Sequence, residues 1–287
     1  MIKSMYSGIS GMKNFQTKLD VIGNNIANVN TYGFKKSRVT FQDLVSQQLA
    51  GATAAQENGR GGINSKQVGA GSTLGSIDTI HEGATSQFTG RALDLSIEGD
   101  GYFPVFDGDQ TLYTRSGNFY LDEDGTLVTA EGFKVMGLNP NEAGGENPEL
   151  VEINLIDIIG GGEATINDIA SFSIGKNGAI NIVTANDATA VVDPRSIALV
   201  KFANTGGLSK VGGNTFIPTA NSGAPSAAAL PGAGGTGSIN ASTLEMSNVD
   251  LSEEFSEMIV AQRGFQSNSK IITTSDEILQ ELLNLKR

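Results

Sequence analysis

The chain has 287 residues with 31 acidic and 19 basic side chains, a formal charge of −12, and only 17% charged and 6% aromatic residues. It holds 37 Gly, one His and no Cys or Trp, which excludes disulfide staples, thiolate nucleophiles, thiolate zinc sites and multi-histidine metal centres. Residues 1–45 carry six Lys/Arg against two Asp and residues 246–287 four against seven acidic groups, so the acidity lies in the middle, where a nucleic-acid partner would need a basic face.

No run approaches about 18 consecutive apolar residues, so no membrane insertion is expected. The opening MIKSMYSGISGMKNFQ lacks the apolar stretch of a secretory signal peptide. From Met5 to Val29, apolar residues fall at Met5, Ile9, Met12, Phe15, Leu19, Ile22, Ile26 and Val29, in steps of three and four that predict a helix with a heptad-like stripe. Gly8, Gly11 and Gly23 each weaken such a helix by about 1 kcal/mol relative to Ala. The helix therefore needs a partner. Asn24, Asn25, Asn28 and Asn30 cluster at its end, where amide side chains favour caps and turns over helix interior, leaving their amides for contacts between subunits. The following Phe34-Lys35-Lys36-Ser37-Arg38 reads as a solvated helix exit.

Residues 46–72 and 219–241 are rich in Gly, Ala, Ser, Gln and Asn without periodicity and read as linkers or extended arms. Between them, residues 74–135 show short apolar runs broken by Gly and Asp turns, the pattern of antiparallel strands and hairpins. A second such stretch covers 151–217, with a hairpin signal at Asn177-Gly178. At the far end, Asp250 with Glu253 three residues on predicts a capped helix running to the last residue. Leu251, Met258, Phe265, Ile272 and Leu279 make a wholly apolar row of period seven, and Phe255, Gln262, Ser269 and Asp276 its companion row, closed by Leu283. Periodicity alone leaves open whether this is a coiled-coil seam or an ordinary amphipathic face.

Few residues suggest chemistry. Asp122, Asp124 and Gly125, and Asp107 with Asp109, look like calcium-loop fragments but lack the alternating ligands and closing Glu of such a loop, and hairpin turns account for both. Gly69, Gly71 and Gly75 lack the spacing of a nucleotide-binding loop. His81 beside Glu82 has no nucleophile motif to serve and reads as a strand or turn residue. No catalytic, cofactor or metal site is expected, and the chain is not expected to be an enzyme.

The stretch MYSGISGMKNFQTKLDVIGNNIANVNTYGFKKSRVTFQDL, and in it NNIANVNTYGFK from Asn24 to Lys35, resembles the amino end of the bacterial flagellar axial proteins, the rod and hook family. GRALDLSIEGDGYFPV, from Gly90 to Val105, and the segment from Leu244 to Arg287 resemble the same family in the same order. The resemblance implies an α+β fold in which N- and C-terminal helices form a coiled-coil inner domain around an export channel, with a central all-β outer domain. The implied division is an N-terminal helix over 1–45, an arm over 46–73, a β domain over 74–230 with a small insertion over 139–168, and a linker and C-terminal helix over 231–287. It further implies self-assembly into a helical homopolymer, passage through the flagellar type III export apparatus without a cleaved signal peptide, and contacts with the distal rod, hook cap and hook–filament junction proteins. Ile9, Met12, Leu19, Ile22, Asn24, Asn25, Ile26 and Asn28 would carry that assembly, with Leu251, Phe255, Met258, Phe265, Ile272 and Leu279. Within the family the wording is nearer the hook branch, a curved flexible universal joint, with the distal rod as the alternative.

Overall fold

A computed structural model of the chain describes residues 2–54, 61–139, 150–158, 169–184 and 191–285. It is an α+β protein that divides into two compact units. The first comprises Met1–Ala27, Ser37–Thr79 and Val249–Arg287, and the second Asn28–Lys36 and Ile80–Asn248. Most of the segment read as room for an insertion, 140–149 and 159–168, lies outside the described residues.

The first unit is built on two long helices, α1 (Ile2–Ala27) and a C-terminal helix (Leu251–Leu285). Asp250 caps the latter as expected: its Oδ1 accepts from Ser252 N at 2.8 Å and Glu253 N at 3.4 Å, satisfying two donors that a helix start leaves open. The helices run antiparallel, since Gly8 faces Ile272, Phe15 faces Gly264 and Lys18 pairs with Glu257 at 3.1 Å. An antiparallel ribbon of Ser37–Asp43 and Ser72–Thr79 packs on α1, with a bulge between Thr40 and Phe41. There the Phe15 and Phe41 rings lie 6.3 Å apart, and Asn14 Nδ2 donates to Ser72 Oγ at 3.0 Å. A second ribbon pairs Gln47–Ala50 with Lys66–Val68. Its side chains are all exposed, and a strand with no buried face shows no periodic apolar signal.

The second unit is a β body. Eight strands order an antiparallel sheet, from Ile169–Ile174 through 179–184, 191–197, 134–138, 103–106, 111–114 and 215–217 to Ser209–Gly212, with three short strands pairing off this path. The Asn177-Gly178 signal marks a true hairpin, since Gly175 N donates to Ala179 O at 2.9 Å across it. Leu95–Glu98 pairs with Ser238–Ala241, and Ser86–Phe88 with Thr243–Glu245. The core holds Leu95, Phe103, Val105, Phe119, Ile182, Ile197 and Ile239, each worth about 1.5–3 kcal/mol when fully buried. A satellite cluster gathers Tyr102, Tyr113, Val200, Phe202, Leu208 and Phe216. A short helix, α2 (Leu155–Ile158), adds Leu155 and Ile158 to the main core; the C-terminal helix is therefore α3.

Candidate functional site

The helix pair of the first unit has an inward face that closes the hairpin and an outward face that stays open. On the inward face of α3, Met258, Phe265, Ile272 and Leu279 are half-buried, as the apolar row predicts. The companion row differs from expectation. Phe255, Gln262 and Asp276 are exposed, and the row that accompanies the apolar one is Glu254, Ala261, Asn268 and Ser275, buried or half-buried one position earlier. The reason is steric. α1 brings Gly8 and Gly11 against Asn268 of this row, where a β-carbon on Gly11 would stand 2.7 Å from Asn268 Nδ2, and in turn Gly264 of α3 makes room for Phe15 of α1, whose ring would lie 2.6 Å from a β-carbon there. Gly8 and Gly11, which look like weaknesses in the sequence, are places where the two helices approach within side-chain contact, whereas a β-carbon on Gly23 would meet nothing within 4 Å.

On α1, Ile22 is buried, and Met12, Leu19 and Ile26 are half-buried. Ile9 is 48% exposed, as are Leu251 and Phe255 on α3 to similar degrees, so these three do not close the intramolecular pair. Asn25 corrects the expectation that the asparagine amides serve contacts between subunits. It is 1% exposed and trades two hydrogen bonds with the backbone of Ser37, Nδ2 to O at 2.9 Å and N to Oδ1 at 3.0 Å. Its Nδ2 also reaches Glu254 Oε1 at 3.2 Å. One amide thus ties α1, the first ribbon strand and the start of α3. Asn28, in the second unit, accepts from Thr31 Oγ1 at 3.2 Å in a local turn. Asn24 is exposed.

Residues not named from the sequence line the outward face: Tyr6 on α1, and Ile259, Val260, Ile271, Ile278, Leu282 and Leu285 on α3 are all exposed. Val260, Ile271, Ile278 and Leu282 share one side of α3, because spacings of eleven, seven and four residues are close to whole numbers of turns. The signal was present as a second apolar row, masked by the more regular one.

In the second unit the basic run departs most from its sequence reading. Lys35 is not solvated but 1% exposed. Its Nζ lies 2.7 Å from Glu245 Oε1 and donates to Glu82 O at 2.7 Å. Arg115 Nε meets the other carboxylate oxygen at 2.8 Å, and its Nη2 donates to Gly99 O at 2.5 Å. Burial pushes the Lys35 ammonium below its ordinary range, and the Glu245 carboxylate opposes that shift. Phe34 is buried beside it, and Asn248 joins this segment to the one at Ile80, accepting from Lys36 N at 2.7 Å and donating to Ile80 O at 2.9 Å. The NTYGFK phrase is therefore a structural latch.

His81 is a core residue, with Nδ1 bonded to Tyr102 OH at 2.7 Å and its ring 5.4 Å from that of Phe216. Burial first, then the charges of Lys35, Lys210 and Arg115, lower its pKa to about 4. No serine or carboxylate is placed for it to activate among its recorded partners. Asp122 lies in a turn closed by Gly125 N to Asp122 O at 2.9 Å.

Three family profiles match the chain: "Flagella basal body rod protein" over residues 5–35, "Flagellar hook protein FlgE/F/G D1 domain" over 96–182, and "Flagellar basal body rod FlgEFG protein C-terminal" over 240–285. The flagellar basal-body rod protein FlgG of Bacillus subtilis is 59% identical over 287 residues, all of both chains. The FlgG of Borreliella burgdorferi is 38% identical over 291 positions, also covering both chains. The flagellar hook protein FlgE of Borreliella burgdorferi is 31% identical, and its alignment runs over 443 positions, so it carries long segments that this chain lacks. These relatives favour the rod over the hook branch expected from wording alone, because the identity to the rod proteins is the higher and extends over chains of matching length. With full-length similarity at these levels, the chain belongs to the FlgE/F/G family of flagellar rod and hook proteins.

Proposed function

We propose that this chain is a distal-rod subunit of the bacterial flagellum, which self-assembles into a straight, stiff tube serving as a drive shaft in the basal body. The observation that carries this reading is the 59% identity to a rod protein of the same length, against 31% to a hook protein that is much longer. The open apolar side of the helix pair supports self-assembly. Exposed apolar rows of this length are removed from water when copies pack, at about 25 cal/mol per Å², and a helical array of identical contacts gives an open filament instead of a closed ring. Ile9, Leu251 and Phe255, with Val260, Ile271, Ile278 and Leu282, would make those contacts. Met12, Leu19, Ile22 and Ile26, with Met258, Phe265, Ile272 and Leu279, would hold the hairpin that presents them.

Electron microscopy of the purified chain at rising concentration tests this. Straight filaments with one subunit spacing support a rod; curved filaments whose spacing differs between the inside and outside of the bend support a hook instead. Protein that stays dispersed at all concentrations removes the polymer reading.

A further inference from the structure

The β body is acidic beyond what its own cations neutralise. Its residues include 20 Asp/Glu and 9 Lys/Arg, a net charge of −11, and its cations are largely engaged at home. Lys35 and Arg115 are buried on Glu245. Arg91 pairs with Asp94, Lys134 with Glu152, Arg195 with Asp157 and Lys201 with Asp100, and Lys210 Nζ donates to Lys35 O. Identical β bodies brought side by side would repel unless a cation from elsewhere is seated between them.

One pocket of this unit has a carboxylate as the single charged group in its lining. It has a volume of about 280 Å³, and Asn30, Tyr32, Ser116, Asn118, Glu131 and Asn214 are among its walls, with no Lys or Arg in the lining. Several wall groups are held in place by their own bonds. Asn214 Nδ2 donates to Tyr32 O at 2.9 Å, and Ser116 Oγ to Asn118 Oδ1 at 2.6 Å. The Asn118 amide keeps its donors and the Asn214 amide its oxygen, so the neutral walls offer both donors and acceptors, and Glu131 is the one charged group in the lining. Glu131 rests against the bare Cα of Gly213 and has no ion pair among the described residues. We propose that this pocket receives a lysine side chain from a second copy of the chain, its ammonium meeting the Glu131 carboxylate.

The chemistry selects lysine over arginine. A compact ammonium with three rotatable donors suits one carboxylate among scattered neutral polar groups, whereas a planar guanidinium is best met by a two-oxygen fork aligned with it. The volume admits the four-carbon stem. Lys13, Lys66 and Lys270 belong to the first unit, are exposed and have no ion pair among the described residues, and are the candidates to fill it. The proposal rests on the polymer reading, and gives that polymer a polar, salt-sensitive contact besides its apolar helix faces.

Carbodiimide coupling, which joins a carboxylate to a lysine only when they touch, provides the test. Filaments grown from equal parts of ¹⁵N-labelled and unlabelled chain are coupled, digested and analysed by mass spectrometry. The expected product is a Glu131–lysine link joining labelled to unlabelled peptides, absent from dispersed protein. Glu131→Gln is expected to abolish that link and raise the concentration needed for assembly about tenfold at low salt, with the melting temperature unchanged. Reversing Glu131 to Lys should block assembly, and reversing the linked lysine to Glu in the same chain should restore it. Filaments that couple elsewhere but not at Glu131, a link confined to one copy, or a Glu131→Gln chain that assembles like the parent overturns the proposal and leaves the rod reading intact. A parent chain that never polymerises overturns both.

Discussion

Lys35 Nζ lies 2.7 Å from Glu245 Oε1, both side chains essentially without solvent and 210 residues apart in the chain. Glu245 also neutralises Arg115, so removing the one carboxylate strands two buried cations. Glu245→Ala is expected to destabilise the β body by about 3–5 kcal/mol, read by denaturant unfolding monitored through near-UV circular dichroism of Tyr102 and Tyr113. Lys35→Met should cost clearly less, because the Glu245–Arg115 pair survives it. Equal losses for the two variants would mean the carboxylate is not the centre of the network.

Gly33, two residues before that lysine, has φ +69° and sits where a β-carbon would come within 2.8 Å of Ser116 N. The obstacle is backbone and cannot rotate away. Left-handed geometry alone costs a side chain about 1–2 kcal/mol, so Gly33→Ala should lose about 2 kcal/mol or more by the same unfolding assay. A loss under about 0.5 kcal/mol would show that the phrase is not locked as described.

Val260 and Ala261 are neighbours on α3 with opposite exposures, 62% and 0%. Val260→Asp should leave monomer helicity and melting unchanged while suppressing filament growth, since it puts a charge on the outward row. Ala261→Leu should instead force the helix pair apart, with an overpacking cost of about 1–3 kcal/mol, and lower the thermal stability of the helices by circular dichroism. Filaments from Val260→Asp at parental concentration would mean that the outward row is not an interface.

The single histidine makes stability fall in acid. The His81 pKa is lowered in the fold to about 4 from an ordinary 6.5, so between those values the unfolded chain binds a proton that the folded chain refuses. Stability contributed by neutral His81 is therefore full above about pH 6.5 and declines as pH falls towards 4, with a slope approaching about 1.4 kcal/mol per pH unit. His81→Gln should flatten the stability profile in that window. An unchanged profile would assign the acid sensitivity to carboxylates.

What could be read from the chain is what depends on near neighbours. Helices at both ends, the Asp250 cap and the Asn177-Gly178 hairpin follow from spacings and turn chemistry within a few residues. The apolar row of Met258, Phe265, Ile272 and Leu279 follows from helical periodicity. Its companion did not, because Glu254 and Asn268 are polar and leave solvent where Asn25 and Gly11 of α1 come up against them. Burial of a polar side chain is set by its partner, and the partner lies more than 200 positions away.

The same reason governs the latch. Nothing in Phe34-Lys35-Lys36 distinguishes a solvated basic run from a buried one until Glu245 and Arg115 are brought to it, and the asparagine cluster looks available until Ser37 claims Asn25. The sequence by itself determined the α+β division, the flagellar axial family and the helical ends, since each is written in local pattern or in phrases shared along the whole chain. Only the tertiary structure decided which side of α3 is closed, which is left exposed, and which charges lie inside. Those outcomes are fixed by long-range contacts, where desolvation must be matched by a partner that local sequence cannot reveal.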